Sequence, residues 1–238
     1  MKRTDFTLKP SLIAMLAATL LTACGGDDDD TVVVTPPAPV MQTFTVTVTN
    51  LTANQPMSPV ILASHASDAM LWNAGEMASE ALEKMAEGGD TADIAALSVI
   101  NSSVNGTGLL MPGMSETLTL TLDEADVASI SLATMLVNTN DAFTGINSYT
   151  IAGMEVDATT AMKFMAYDAG TEANSEAKGT MPGPADGGEG FNASRDDVDF
   201  VHIHPGVISM YDGLTDSVLG ASHRFDNPVL AVTIMRTE

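Results

Sequence analysis

The 238-residue sequence has one cysteine, one tryptophan, three tyrosines, seven phenylalanines and only nine lysines and arginines. A single cysteine excludes an internal disulfide and a zinc-thiolate cluster. Nine basic residues against 31 acidic ones give a formal net charge of -22, and such a surface repels nucleic acid rather than binding it. With so few aromatics, the core has to be filled by aliphatic side chains and methionines, of which there are 16. What is present suffices, because 45% of the residues are hydrophobic. That is enough for a real core, so disorder of the whole chain is excluded, and the length fits one sizeable domain or two small ones.

The cysteine sits in a telling place. Met1-Lys2-Arg3 gives a positive start, Leu12 to Leu20 is a short apolar run, and Leu21-Thr22-Ala23-Cys24 closes it with small residues. This is the layout of a secretory signal, residues 1-23, too short for a spanning helix. Its last four residues resemble the lipobox of bacterial lipoproteins, which implies that Cys24 becomes the first mature residue and carries the lipid. Stable attachment needs more than one acyl chain, and a lipidated cysteine supplies it. An ordinary signal peptide, or an uncleaved anchor, with Cys24 incidental is the alternative. Gly25 after Cys24 permits outer-membrane sorting by resemblance to enteric lipoproteins, with the periplasmic and surface faces both open. Cleavage leaves 6 basic and 30 acidic residues, a load that salt screens beyond about 8 Å.

Residues 24-40 read as a tether: Gly25-Gly26 and four aspartates, then Pro36-Pro37-Ala38-Pro39, without periodicity. The folded domain, 41-238, opens on Thr-Phe-Thr-Val-Thr-Val-Thr (43-49), and Thr-Leu-Thr-Leu-Thr-Leu (117-122) repeats the alternation. Both predict half-buried strands. Further strands are expected at 60-65, 129-135, 161-167, 200-204 and 229-235. Between them, Asn105-Gly106, Pro112-Gly113, Asp212-Gly213 and Asn227-Pro228 mark turns. Helical spacing runs from Ala78 to Glu87 before Gly88-Gly89, and a second helix starts at Asp90 or Thr91 with Ile94, Leu97 and Val99. Many short strands with a short helical insertion predict an all-β antiparallel sandwich.

Several segments in order resemble the spondin domain, found in animal F-spondin and mindin and as a stand-alone exported bacterial domain. They include Ala86-Glu87-Gly88-Gly89-Asp90, Asn140-Asp141-Ala142-Phe143-Thr144-Gly145, Tyr167-Asp168-Ala169-Gly170-Thr171-Glu172 and His202-Ile203-His204-Pro205-Gly206. The resemblance implies an antiparallel β-sandwich similar to calcium-dependent lipid-binding domains, with a calcium ion held by loops at one end. Carried over by position, the ligands are Asp141, Asp168 and Glu172, the last standing where the animal motif has aspartate. The chemistry agrees, since calcium takes six to eight oxygens with carboxylates prominent among them. The animal proteins' cysteines and thrombospondin repeats are missing, so their partners do not transfer. The alternative for the three acids is solvated loop charge.

Four histidines are present: His65, His202, His204 and His223. On a strand, His202 and His204 share a face, and with His65 from another strand they could hold copper or zinc. The alternative gives His202 and His204 a structural role beside the Pro205-Gly206 turn. A hydrolase using Ser209 and His223 has no Gly-x-Ser-x-Gly elbow to support it, and Gly187-Gly188-Glu189-Gly190 lacks the context of a phosphate loop. Three functions follow: a non-enzymatic, calcium-bearing binding or adhesion module on the envelope, with a protein or glycan ligand outside the cell or in the periplasm; a transition-metal-binding lipoprotein; and a hydrolase with an unrecognised site.

Overall fold

A computed structural model describes residues Ala38-Glu238. The expected signal segment, Cys24 and all but the last three residues of the expected tether lie outside the described residues. Ten strands form two antiparallel sheets. The first has the order β4 (Ser115-Asp123), β1 (Met41-Asn50), β10 (Leu230-Arg236), β7 (Thr159-Phe164). The second has the order β3 (Ile100-Asn105), β2 (Ile61-His65), β5 (Ser129-Met135), β6 (Ala142-Thr150), β8 (Ala166-Asp168), β9 (His202-Ile203). The expected β-sandwich is what the chain forms.

The first sheet keeps the alternation seen in the sequence. Phe44, Val46 and Val48 of β1, Leu118, Leu120 and Leu122 of β4, and Val232 and Ile234 of β10 are buried between the sheets, against Leu62, Ile130, Leu132 and Ile146. On the other face the threonines pair across strands, Thr47 Oγ1 lying 2.8 Å from Thr117 Oγ1 and Thr49 Oγ1 2.7 Å from Ser115 Oγ. Asn50 ends β1 fully buried: its Nδ2 donates to the carbonyls of Gln55 and Leu110, and its Oδ1 accepts from the Thr52 N-H and hydroxyl.

The second sheet is covered on both faces. β2 and β5 are buried at every position, because a helical layer lies over the outer face. There Ile61, Ala133, Met135 and Phe143 pack with Ala81, Leu82, Met85 and Ala86 of α1 (Glu80-Gly88) and with Trp72 and Ile94. Trp72 meets Phe143 edge-on at 5.1 Å, and Phe143 stacks on Tyr167 at 5.6 Å. Helix α1 starts where Ser79 Oγ accepts from the Leu82 N-H and stops at Gly89, whose φ of 70° is left-handed. The second helix, α2 (Ala92-Ala95), is shorter than its sequence signal, and Val99 falls outside it.

Two strands, β3 and β6, are absent from the sequence reading. β3 (Ile-Asn-Ser-Ser-Val-Asn) is mostly polar, and β6 contains Gly145, Asn147 and Ser148, residue types common in loops. Gly145 is nonetheless required in β6, since a Cβ there would strike the Leu132 carbonyl of β5. The expected strand 161-167 is two strands. β7 ends at Phe164 in the first sheet and β8 begins at Ala166 in the second, so Met165 carries the chain across. Asn227 Oδ1 accepts the Ala166 N-H and the Phe164 carbonyl accepts the Val229 N-H, which fixes the crossing.

Between β8 and β9 run more than thirty residues without helix or strand. They are folded rather than loose. Met181 is buried with Val207 and Leu219. Both Glu176 oxygens accept the Ile208 N-H at 2.9 Å, and Asp186 Oδ2 accepts the Gly179 N-H at 2.6 Å.

Candidate metal centre

At one end of the second sheet, three strand termini stand side by side. Ala142 at the start of β6 pairs with Asp168 at the end of β8, and Asp168 pairs with His202 at the start of β9. Directly opposed residues present their side chains on the same face, so Asp168 and His202 meet, with Asp168 Oδ1 3.4 Å from His202 Nε2. Asp141, one residue before β6, is drawn to the β8 turn. Its Oδ2 accepts the Thr171 N-H at 2.8 Å, the Thr171 hydroxyl at 3.2 Å and the Glu172 N-H at 3.1 Å.

Gly170 makes the turn between them possible. Its φ is +70°, and an added Cβ would strike the Phe200 backbone. The Asp199 N-H donates to the Gly170 carbonyl and the Asp196 N-H to the Thr171 carbonyl, so residues 196-200 lie against the 170-171 turn. That contact brings in Asp197, whose Oδ2 is 4.0 Å from His202 Nε2.

Asp141 and Asp168 are both fully buried. Burial, and then the Asp168 charge beside it, push the Asp141 carboxyl well above the usual carboxylate range. One Asp141 oxygen, Oδ1, is buried with no hydrogen-bond partner. Asp168 is better held: Oδ1 accepts the Gly170 N-H at 2.8 Å and Oδ2 the Asn174 amide at 2.7 Å. Among the described residues, only His202 and His204 offer positive charge to Asp168, and only when protonated. Burial pushes His204 below the ordinary histidine range, which leaves it neutral. Asp168 therefore acts on Asp141 by repulsion, and among the described residues neither carboxylate is paired with a lysine or arginine. Arg195 is engaged by Glu83 and Asp199, each at 2.6 Å.

Glu172 joins Asp141 through its main chain. Its carboxyl is raised to about 7 by burial and faces Asn140, with Glu87, Asp196 and Glu189 as the acids that repel it. Glu87 is itself buried, with Oε2 accepting the Asn192 N-H and Oε1 unpartnered.

The histidines separate. His65 is buried on β2, its Nδ1 2.8 Å from the Ala66 carbonyl and its Nε2 2.7 Å from Ser131 Oγ. It pairs with Ser129, at the end of β5 opposite Met135, which pairs with Phe143 near Asp141. Six strand residues put it roughly 20 Å from the β6-β8-β9 end, so His65 is not a third ligand for His202 and His204. Of those two, His204 has a structural arrangement. The Gly206 N-H donates to its Nδ1 at 2.9 Å, so the neutral ring carries its proton on Nε2, which donates to Asn174 Oδ1 at 3.1 Å. His204 thereby holds the asparagine that holds Asp168. Ser209 and His223 are in separate turns: Ser209 Oγ donates to Asp212 Oδ2, and His223 Nδ1 accepts the Gly220 N-H.

A family model described as Spondin_N matches residues 46-181, more than half of the chain. The chain belongs to the spondin domain family. Spondin domains are in general non-catalytic. No curated protein matches the chain. The spondin match includes Asp141, Asp168 and Glu172, and it ends before Asp197, His202 and His204. Asp197 is the site residue that sequence reasoning missed. It is one of 31 acids, and only the packing of 196-200 on Gly170 distinguishes it.

Proposed function

We propose that this spondin domain is an exported, lipid-anchored, non-enzymatic binding or adhesion module of the bacterial cell envelope, and that it holds calcium at the β6-β8 end of the second sheet. The observation that carries the calcium reading is the Asp141 Oδ1 atom, buried without a partner beside the equally buried Asp168. Burying a carboxylate costs several kcal/mol that hydrogen bonds to one oxygen offset only in part, and a hard divalent cation offsets that cost for two carboxylates at once. Asp141 and Asp168 are the groups that fit the ion. Glu172 supports them through its N-H to Asp141, while its carboxyl belongs to the neighbouring acidic group. Bound calcium supplies charge neutralisation and ties the β6 start to the β8 turn.

The lipid anchor rests on the leader and Cys24, and the acidic, proline-bearing tether after it suits a domain held off a membrane. The partner is a protein or glycan reached outside the cell or in the periplasm. Thermal unfolding of the purified chain in millimolar calcium and in excess chelator tests the calcium reading. A higher melting temperature in calcium is expected, and equal values would overturn it.

A further inference from the structure

We propose that Asp168, Asp197 and His202 form a second metal site, one for a divalent transition ion of the zinc type, distinct from the calcium site in its ligands except for the shared Asp168. The three residues each offer one ligand atom, and these atoms lie within 4.8 Å of one another. His202 Nε2 is 3.4 Å from Asp168 Oδ1 and 4.0 Å from Asp197 Oδ2. Tetrahedral donors at zinc bond lengths of about 2.0-2.2 Å are separated by about 3.3-3.6 Å. The first pair already has that spacing, and the part-exposed Asp197 side chain closes the second by a small rotation.

The tautomer of His202 points the same way. Its Nδ1 lies 3.1 Å from the Ile203 carbonyl, an atom that can only accept, so the neutral ring carries its proton on Nδ1. The Nε2 lone pair is then directed at two carboxylates. Three lone pairs converging on one point repel one another unless a cation sits between them. An Nδ1-H held by a backbone carbonyl is also the usual outer support of a metal-bound histidine. Asp168 is oriented in the same manner by the Gly170 N-H and the Asn174 amide, and Asn174 by His204. His204 cannot join as a ligand through Nε2, which carries its proton.

The donor set, two carboxylates and one imidazole, suits zinc or manganese better than copper(I), for which thiolates or thioethers are preferred. With His202 and Asp197 side chains 29% and 21% exposed, solvent reaches the site and completes the coordination. Asp168 lies inside the segment matched by the family model, and Asp197 and His202 lie beyond its end.

The test is zinc titration of the purified chain against a chromophoric zinc indicator in millimolar calcium, with cobalt(II) as a spectroscopic substitute. One zinc per chain is expected, with affinity falling at least tenfold in His202→Ala and in Asp197→Asn and unchanged in His65→Ala. Unfolding of each variant in chelator is recorded alongside, and both ligand variants should melt close to the wild type because neither side chain is in the core. His202→Ala should keep the calcium-dependent stabilisation, whereas Asp141→Asn should lose it and keep zinc. Absence of zinc binding, wild-type zinc affinity in His202→Ala or Asp197→Asn, or loss of the calcium response in His202→Ala would each overturn the proposal. A histidine proton titration showing His202 charged at neutral pH in the zinc-saturating buffer would overturn it as well.

Discussion

Asp141→Asn changes one oxygen to an amide nitrogen and removes one buried charge. The asparagine oxygen can keep the three bonds that Asp141 Oδ2 accepts from Thr171 and Glu172, and the new NH2 stands where the unpartnered Oδ1 was. Without metal, the substitution relieves repulsion by Asp168, so at neutral pH in chelator the variant should melt at or above the wild-type temperature. With calcium, the wild type gains by linkage: at about 100 times the dissociation constant, binding adds roughly 2.7 kcal/mol to unfolding. For a domain of this size each kcal/mol moves the melting temperature by about 2-4 °C, so the wild-type shift should be about 5-11 °C. Extracellular calcium modules have dissociation constants of about 0.1-1 mM, which places saturation near 10 mM or above. Differential scanning calorimetry of both proteins, in chelator and across that range, gives the melting temperatures to compare. An Asp141→Asn protein that keeps the wild-type calcium shift would refute the reasoning, because the orphaned oxygen would then have no part in binding. A wild type destabilised by the substitution in chelator would also refute it, since the buried charge would then be serving the apo fold.

Four further outcomes are expected. In chelator, the melting temperature should fall as pH rises from about 5 to 8, because buried Glu176 has its pKa raised to about 7 and Asp141 is raised too; stability present while they are protonated is lost as pH passes their folded-state values, and a flat or rising profile would contradict it. His204→Ala removes the acceptor of the Gly206 N-H and the donor to Asn174, and should cost about 1-3 kcal/mol in urea unfolding. Gly170→Ala should destabilise more severely and abolish calcium stabilisation, because the left-handed φ and the Phe200 backbone leave no room for a methyl group; a wild-type melting curve would contradict it. Cys24→Ser should abolish incorporation of labelled fatty acid, and labelling at the wild-type level would reject the lipid anchor.

The alternating strands were legible because one face of their sheet meets solvent, so period two is written into Thr43-Thr49 and Thr117-Leu122. β6 was not, because its neighbours bury both faces and a close approach to β5 demands Gly145, a residue that reads as a breaker. The split of 161-167 at Met165 was invisible for a different reason: Asn227, some sixty positions later, determines where the strand changes sheet. Asp141 and Asp168 were singled out as candidates through their flanking motifs. Their burial, the unpartnered oxygen and the approach of Asp197 depend on long-range packing against the 170-171 turn, and no local pattern encodes that.

The threonine-faced sheet carries one more implication, for how the chain finds its pairing. Thr-Val-Thr-Val and Thr-Leu-Thr-Leu are nearly self-similar under a shift of two residues, which keeps every apolar side chain inward and every hydroxyl outward. A one-residue slip between β1 and β4 is strongly penalised because it inverts both faces, whereas a two-residue slip is almost invisible to the pattern. The ladder between them, Met41 opposite Asp123 through Thr49 opposite Ser115, must therefore be indexed from its end. Asn50 is suited to that task, since its side chain closes four bonds with residues 52, 55 and 110, and moving it by two positions would break all of them. In this sheet the repetitive middle supplies adhesion between strands, and a single terminal asparagine supplies the count.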